Sequence, residues 1–133
     1  FTDLKKLFPE EEFQFEVPSP ELKLNVDRAQ IEQILINLLK NAREACSRKS
    51  DKKIQVKARK LSAGNTTLTI SDNGEGILPD VLDKIFVPFF TTKTSGSGIG
   101  LSLCKQIMTL HEGSINVKSE VGKGSSFILT FPK

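Results

Sequence analysis

The sequence has few of the residues that build disulfide frameworks, metal clusters or membrane spans. Two cysteines and one histidine occur among its 133 residues, and Cys46 and Cys104 lie far apart, each without a second cysteine or histidine at ligand spacing. The longest apolar run, at 34–39, is far too short to cross a bilayer, and no basic-then-apolar leader opens the chain. These shortages argue against a disulfide scaffold, a zinc site and a membrane span. They favour a soluble cytoplasmic domain whose two thiols are reduced core residues.

The charge and the composition are those of one ordinary globular domain. The net charge is +3, with 26% charged residues of both signs, which does not favour a nucleic-acid surface. With 38% hydrophobic residues, the chain is long enough for a single domain with its own core, covering 1–133. Because it begins at Phe1 rather than at a methionine, we expect it to be a piece of a longer protein.

Hydrophobic periodicity predicts an alternating chain of strands and helices. An apolar stripe about 100° wide predicts a long helix from Asp27 to about Lys49. The stripe consists of Ile31, Ile34, Leu35, Leu38, Ala42 and Ala45. Alternating segments predict strands at 13–17, 22–26, 52–61, 66–72, 114–119 and 126–131, with later helices at 81–85 and 99–110. This pattern predicts an α+β fold, a two-layer α/β sandwich in which a mixed, mostly antiparallel five-stranded sheet carries about three helices on one face.

Polar side chains border the apolar stripe of the long helix. Asn37, Asn41 and Glu44 project within about 60° of each other at the edge of the stripe, rather than opposite it. Asparagine is a middling helix former, so two of them at i and i+4 require a reason. Their amide oxygens are hard neutral ligands that suit Mg²⁺. The alternative is that both amides bond to neighbouring loops.

A carboxylate at the tip of a buried strand marks a second candidate site. Asp72 ends an apolar strand and opens the sequence DNGEGI, in which Gly74 and Gly76 let the backbone turn sharply and approach a ligand. Because a buried carboxylate requires a strong donor, we expect its partner to be an amino group such as the exocyclic amine of a base. Ile77 would supply an apolar wall for that base.

A glycine-rich segment, TTKTSGSGIGLSL at 91–103, precedes the next helix. Its glycines stand before the helix or open it: Gly96, Gly98 and Gly100. The first N–H groups of a helix and its dipole favour an anion, so the segment predicts a phosphate cradle. Two hydroxyls and one cation belong to the same stretch, which we expect to be mobile and to close over the phosphates: Thr91, Thr92 and Lys93. The segment lacks the Lys-Ser/Thr pair that ends a P-loop.

Together these segments resemble the ATP-binding catalytic domain of sensor histidine kinases, within the gyrase, chaperone, kinase and MutL ATPase superfamily (GHKL). From about residue 22 onward, short segments are similar to the boxes of that family in the same order. They are NLLKNAREA for the N box, DNGEGI for the first glycine box, IFVPFFTTK for the F box, GSGIGLSL for the second glycine box and GKGSSF for the last. The PFFTTK run is similar to the nitrogen-regulation type of sensor kinase.

The resemblance implies a role for each matching residue. Asn41 would ligate Mg²⁺, Asn37 would support the phosphates, and Asp72 would bind the adenine amino group of ATP. The base pocket, the phosphate contacts and the lid with its hinge would be completed by Gly74, Gly76, Ile77, Thr91, Thr92, Lys93, Gly96, Gly98, Gly100 and Leu101. Ser125 stands where the family usually has threonine, and it keeps the hydroxyl that helps to hold Asp72 and a water. Glu44 stands where many of these kinases carry a basic residue, and a carboxylate there would repel phosphates unless a metal or a water intervened.

One position of the N box separates kinases from hydrolases within the resemblance. In the gyrase and chaperone branches, a glutamate four residues before the metal asparagine activates water, whereas this chain has Asn37, and an amide is not a general base. The resemblance therefore implies ATP-dependent phosphoryl transfer to a histidine on a separate dimerisation domain of the same protein, and from there to a response regulator. Neither nucleic acid nor direct membrane contact is implied. His111, in a helix-ending sequence, is interpreted as structural. A GHKL ATPase and a non-enzymatic nucleotide-sensing or docking module stay open as alternatives.

Overall fold

The structure, a computed structural model, describes residues 13–16, 28–46, 51–61, 63–87 and 100–132. Its elements in chain order are β1 (Phe13–Glu16), α1 (Arg28–Ala45), β2 (Ile54–Lys60), β3 (Thr66–Asp72), α2 (Pro79–Leu82), α3 (Gly100–Leu110), β4 (Ser114–Glu120) and β5 (Gly124–Phe131). None of the helices in these ranges combines the length and the apolar character that a bilayer span requires.

The strands form one sheet in the order β1-β2-β3-β5-β4. β2 pairs antiparallel with β3, β3 with β5, and β5 with β4, while the short β1 runs parallel to β2. The predicted α+β class and the mostly antiparallel sheet are therefore confirmed. The predicted count of five strands stays a prediction, because the strand expected at 22–26 lies outside the described residues.

The helices α1 and α3 cover one face of this sheet. α1 contacts β2, β3, β5 and α3, and α3 contacts β4. Alternate strand residues point into the helix layer, which gives β2 and β5 their regular buried pattern. The predicted stripe of α1 is buried from Ile31 to Ala42, and Ala45 at its end is half-buried. Leu39, which the stripe did not include, is also fully buried, because α1 has α3 beside it as well as the sheet below.

Three helix boundaries differ from the prediction. The short helix α2 begins at Pro79 and ends at Leu82, rather than covering 81–85, and its start suits proline, which is favoured in the first turn of a helix. α1 ends at Ala45, whereas the pattern predicted about Lys49, and 47–50 lie outside the described residues. The Ala45 carbonyl oxygen, which a longer α1 would use within the helix, accepts instead a hydrogen bond of 3.2 Å from the N–H of Glu75.

The three residues with reactive side chains that were interpreted as structural lie in a helix or directly after one. Cys46 and Cys104 are buried thiols, and burial raises the pKa of Cys104 to about 12. His111 follows α3, and its Nδ1 lies 2.8 Å from the carbonyl oxygen of Ile107. Glu112, at a φ of 58°, then reverses the chain. This arrangement agrees with a helix-ending role for His111.

Candidate functional site

Asp72 ends β3 on the side of the sheet that carries the helices. One of its carboxylate oxygens accepts a hydrogen bond of 2.8 Å from the N–H of Gly74, and the residue pairs with Ser125 of β5. Burial raises the pKa of Asp72 above its usual value of 3.8, and the backbone N–H groups of Gly74 and Ser125 partly offset that rise. The result is a carboxylate held in a fixed position at the end of a strand, partly withdrawn from water, which an amino group of a ligand would stabilise.

The loop that follows Asp72 packs between the end of α1 on one side and the β4–β5 turn on the other. A Cβ atom on Gly74 would lie 2.6 Å from the Ala45 carbonyl oxygen, so only glycine fits this contact with α1. Gly76 has a φ of 79°, and its Cβ would collide with the backbone carbonyl of Glu120 on the other side. The N–H of Gly122 donates to the carbonyl oxygen of Glu75 at 3.0 Å. The two predicted glycines therefore give the loop its shape, because each allows a close approach of another backbone.

Asn73, which sequence reasoning did not single out, also holds this loop in place. Its Oδ1 accepts the N–H of Lys53 at 2.9 Å and lies 3.5 Å from the Cys46 thiol, and its Nδ2 donates to the carbonyl oxygen of Asp51 at 2.7 Å. The side chain thus ties Asp72's neighbour to α1 and to the start of β2. An asparagine after a strand signals a turn, but its distant partners leave no signal in the sequence.

Two serines continue the row from Asp72 across the next two strands, β5 and β4. Ser125, buried in β5, pairs with Ser119 of β4, and their Oγ atoms are 2.8 Å apart. Ser119 Oγ accepts the N–H of Ile77 at 2.8 Å and lies 3.1 Å from the carbonyl oxygen of Gly124. Ile77 is half-buried and packs against the core, which suits an apolar wall. Ser119 was missed, since only the strand register shows that it neighbours Ser125.

Asn37 of α1 faces the first residue of α3. A Cβ on Gly100 would lie 3.3 Å from Asn37 Oδ1, so an amide oxygen stands directly at the helix N-terminus. Asn41 lies one turn further along α1 and is half-buried, Glu44 is exposed, and Leu101 packs against the core. The first N–H groups of α3 and the two amides therefore lie on neighbouring elements, while the predicted phosphate site between them stays a prediction.

The remaining predicted contacts lie outside the described residues. They are Thr91, Thr92, Lys93, Gly96 and Gly98. Within the described ranges no group of three His, Cys, Asp or Glu side chains could hold a metal ion. The candidate metal ligands on α1 are the amide oxygens of Asn37 and Asn41. They fit a Mg²⁺ ion that is bound mainly by phosphate oxygens and water, rather than one enclosed by several carboxylates.

Comparison with known proteins assigns the family. The model of the "Histidine kinase-, DNA gyrase B-, and HSP90-like ATPase" family matches residues 26–133. The chain belongs to this family. Within it, sensor histidine kinase ZraS of Salmonella typhimurium is 39% identical over 110 residues, which are 83% of this chain and 23% of ZraS. The histidine-protein kinase AtoS of Escherichia coli is 42% identical over 109 residues, 82% of this chain and 18% of AtoS. The chain thus spans less than a quarter of these curated relatives.

Solved structures of the same family superpose closely. The nucleotide-free catalytic domain of histidine kinase ThkA is 34% identical, with a TM-score of 0.85 over 99% of this chain and 89% of that one. ThkA in complex with the response regulator TrrA gives a TM-score of 0.77 and 30% identity, over 99% of this chain and 39% of that one. The resemblance to a histidine kinase ATP-binding catalytic domain is therefore confirmed, while the nitrogen-regulation type stays a prediction.

Proposed function

We propose that this domain binds Mg·ATP and transfers the γ-phosphoryl group to a histidine on the dimerisation domain of the same protein, from which a response regulator receives it. The observation that carries the proposal is the position of the Asn37 amide, whose Oδ1 would lie 3.3 Å from a Cβ added to Gly100, the first residue of α3. An amide, and not a carboxylate, therefore lies beside the N-terminus of α3, where we expect the phosphates. Because an amide cannot take a proton from water at neutral pH, the γ-phosphate is kept for another acceptor.

At the base end, Asp72 accepts a hydrogen bond from the exocyclic amine of adenine. The N–H of Gly74 holds the carboxylate in place, so little rearrangement is needed when the base arrives. Ile77 packs against the core and presents an apolar surface to the ring. Binding therefore favours the ionised carboxylate, and ATP affinity should fall as the pH is lowered through the raised pKa of Asp72.

At the phosphate end, the N–H groups of the first turn of α3 and the amide of Asn37 would orient the phosphates, and Asn41 would hold Mg²⁺. When bound, the metal would supply positive charge that offsets the charge of the phosphate oxygens. Thr91, Thr92, Lys93, Gly96 and Gly98 are proposed to complete the cradle and its lid, on the strength of the sequence alone. Transfer then depends on positioning and electrostatic stabilisation, and the acceptor comes from the dimerisation domain.

The comparisons support a response regulator as a partner, while the other proposed partners rest on the family resemblance. ThkA, whose catalytic domain this chain resembles in fold and sequence, has been solved with a response regulator, which supports such a partner here. The dimerisation domain, the cytoplasmic location, the nitrogen-regulation type and the absence of nucleic-acid or direct membrane contacts are proposed from the family resemblance and the mild charge.

Calorimetric titration with a non-hydrolysable ATP analogue, with and without Mg²⁺, tests the binding site. We expect binding that tightens with Mg²⁺, is lost in Asp72→Asn and becomes insensitive to Mg²⁺ in Asn41→Ala. Asp83→Asn and Asn116→Ala make the same chemical changes at exposed positions and should bind as the unmodified chain does. No binding at millimolar nucleotide would favour the docking module over the kinase.

Phosphoryl transfer is tested with radiolabelled ATP and the isolated dimerisation domain of the same protein. We expect label on the acceptor histidine and no sustained phosphate release when the acceptor is omitted. Multiple-turnover phosphate release without an acceptor, abolished by Asp72→Asn, would contradict the kinase assignment and favour the GHKL ATPase.

A further inference from the structure

The side chain of Asn73 extends the pairing of β3 with β2 by one position. The strand register ends at the pair of Ile54 and Asp72, so Lys53 lies opposite Asn73. The Asn73 N–H donates to the Lys53 carbonyl oxygen at 3.1 Å, as in an antiparallel ladder. The Lys53 N–H, which would go to the Asn73 carbonyl oxygen if the ladder continued, donates instead to Asn73 Oδ1 at 2.9 Å. The side chain thus replaces a backbone acceptor, and the main chain can turn directly after Asn73.

The chemistry of its partners fixes the orientation of the Asn73 amide. The Lys53 N–H can only donate and the Asp51 carbonyl oxygen can only accept, so the first must meet Oδ1 and the second must meet Nδ2. These two contacts are 2.9 Å and 2.7 Å long. The Cys46 thiol lies 3.5 Å from the same Oδ1. One amide therefore contacts the residue that follows α1 and binds two residues that precede β2.

The backbone that carries Asp72 is held on both sides by this arrangement. On the β5 side, Gly124 approaches so closely that a Cβ added there would collide with the Asp72 carbonyl oxygen and would lie 3.0 Å from the Asn73 Cα. On the β2 side, Asn73 is bound to the segment that precedes β2. The next N–H in the chain, that of Gly74, binds the Asp72 carboxylate. Because Asn73 lies between that carboxylate and that N–H, the bonds that hold Asn73 also hold the two groups in place relative to each other.

We propose that Asn73 is a positioning residue for recognition of the adenine amine, because its amide holds the turn that orients the Asp72 carboxylate. This inference rests on the proposed function. Asn73 touches no part of the nucleotide, since its amide is directed to Asp51 and Lys53. Its effect reaches the ligand only through the Asp72 carboxylate and the amine that this carboxylate accepts. A change at Asn73 should therefore weaken the binding of ligands that carry the amine, and not of ligands that lack it.

Calorimetric titration in the presence of Mg²⁺ compares ADP with purine riboside 5′-diphosphate, in which a hydrogen replaces the exocyclic amine. The unmodified chain should bind ADP about tenfold or more tightly than this analogue, since a hydrogen bond to a carboxylate is one of the stronger kinds. In Asn73→Ala we expect ADP to bind about three- to tenfold more weakly, because the carboxylate is no longer held in one direction. Binding of the analogue should change by less than about twofold, since it has no amine for Asp72 to accept.

Asn116→Ala is the matched control, because it makes the same change at an exposed position of β4 and should leave the affinity for both nucleotides unchanged. Asn73→Ala should stay folded, since both hydrogen bonds of the amide are exposed and water can replace them, which urea unfolding checks. Should Asn73→Ala unfold at the assay temperature, Asn73→Ser keeps a polar side chain that is one atom too short to make both bonds. It is expected to show the same selective loss of ADP binding.

The outcomes separate this inference from the proposed function. Equal losses for ADP and its analogue would overturn the inference, because Asn73 would then act on the loop as a whole. Unchanged binding of both nucleotides by a folded Asn73→Ala chain would also overturn it, since the Gly74 N–H would then hold the carboxylate without help from the amide. An unmodified chain that binds neither nucleotide, or binds both equally well, would contradict the proposed base site, and the inference with it.

Discussion

Replacing Gly74 by alanine tests how closely the glycine loop is held against α1. The added Cβ would lie 2.6 Å from the carbonyl oxygen of Ala45, 2.7 Å from its carbonyl carbon and 2.9 Å from its Cβ. Since favourable contacts of this kind lie near about 3.5 Å, the loop and the helix end must separate by about 1 Å. That movement would weaken the hydrogen bonds from Gly74 to Asp72 and from Glu75 to Ala45.

The expected loss of stability follows from these contacts. Overpacking costs about 1–3 kcal/mol, and the two weakened hydrogen bonds together add about 1 kcal/mol. Gly74 is not among the glycines with positive φ, so backbone strain adds nothing. We therefore expect the free energy of unfolding of Gly74→Ala to fall by about 2–4 kcal/mol, less than the usual stability of a domain. Nucleotide affinity should fall as well, because Asp72 loses the N–H that holds it.

Urea unfolding followed by circular dichroism measures this loss, and Gly122→Ala is its control. Gly122 has a φ of 83° with nothing within 4 Å of an added Cβ, so alanine there suffers only the left-handed backbone cost of about 1 kcal/mol. A Gly74→Ala chain as stable as Gly122→Ala, with unchanged nucleotide affinity, would refute the close contact between loop and helix.

Further predictions concern the core, the titration of Asp72 and the thiols. Leu39→Ala removes a side chain that is 0% exposed and should lower the free energy of unfolding in urea by about 2–5 kcal/mol. Leu110 is 72% exposed, so Leu110→Ala should change that free energy by less than about 0.5 kcal/mol. Similar values for the two variants would contradict the packing of Leu39. The folded state raises the pKa of Asp72 above 3.8, so folding favours the protonated carboxyl. The free energy of unfolding of the unmodified chain, compared with that of Asp72→Asn, should therefore rise as the pH falls through the raised pKa towards 3.8. A difference that is constant with pH would show that burial does not perturb this carboxyl. Iodoacetamide should leave Cys104 unmodified in the native chain at pH 8 and alkylate it in guanidinium, as mass spectrometry would show, since burial raises its pKa to about 12; rapid native alkylation would refute that burial.

The regular parts of the fold were predictable because they follow from periodicity. Alternation placed β2, β3, β4 and β5 nearly at their observed bounds, and the stripe of α1 predicted most of its buried side chains. Leu39 was not predicted as buried, since a stripe describes one buried face and α1 is covered on two sides. The end of α1 was also wrong, because the Ala45 carbonyl oxygen is bound by Glu75, thirty residues later in the chain.

The candidate site was predictable where glycines and a strand-end carboxylate mark it. Gly74 and Gly76 lie where close approach of another backbone excludes a side chain, and Asp72 lies at the tip of a buried strand. Asn73 and Ser119 were missed for a different reason. Their roles depend on partners brought close by strand pairing and by the end of α1, and a single polar residue in a strand or turn has many ordinary explanations.

The pairing of β3 with β5 also bears on how the chain matures during synthesis. Between these two strands the sequence contains α2, α3 and β4. The edge of β3 that pairs with β5 therefore stays without that partner until β5 has left the ribosome. Asp72 gains its neighbour Ser125 only with that last pairing. A nucleotide bound at the proposed site would therefore stabilise only chains in which β5 has paired with β3, and not partly synthesised ones.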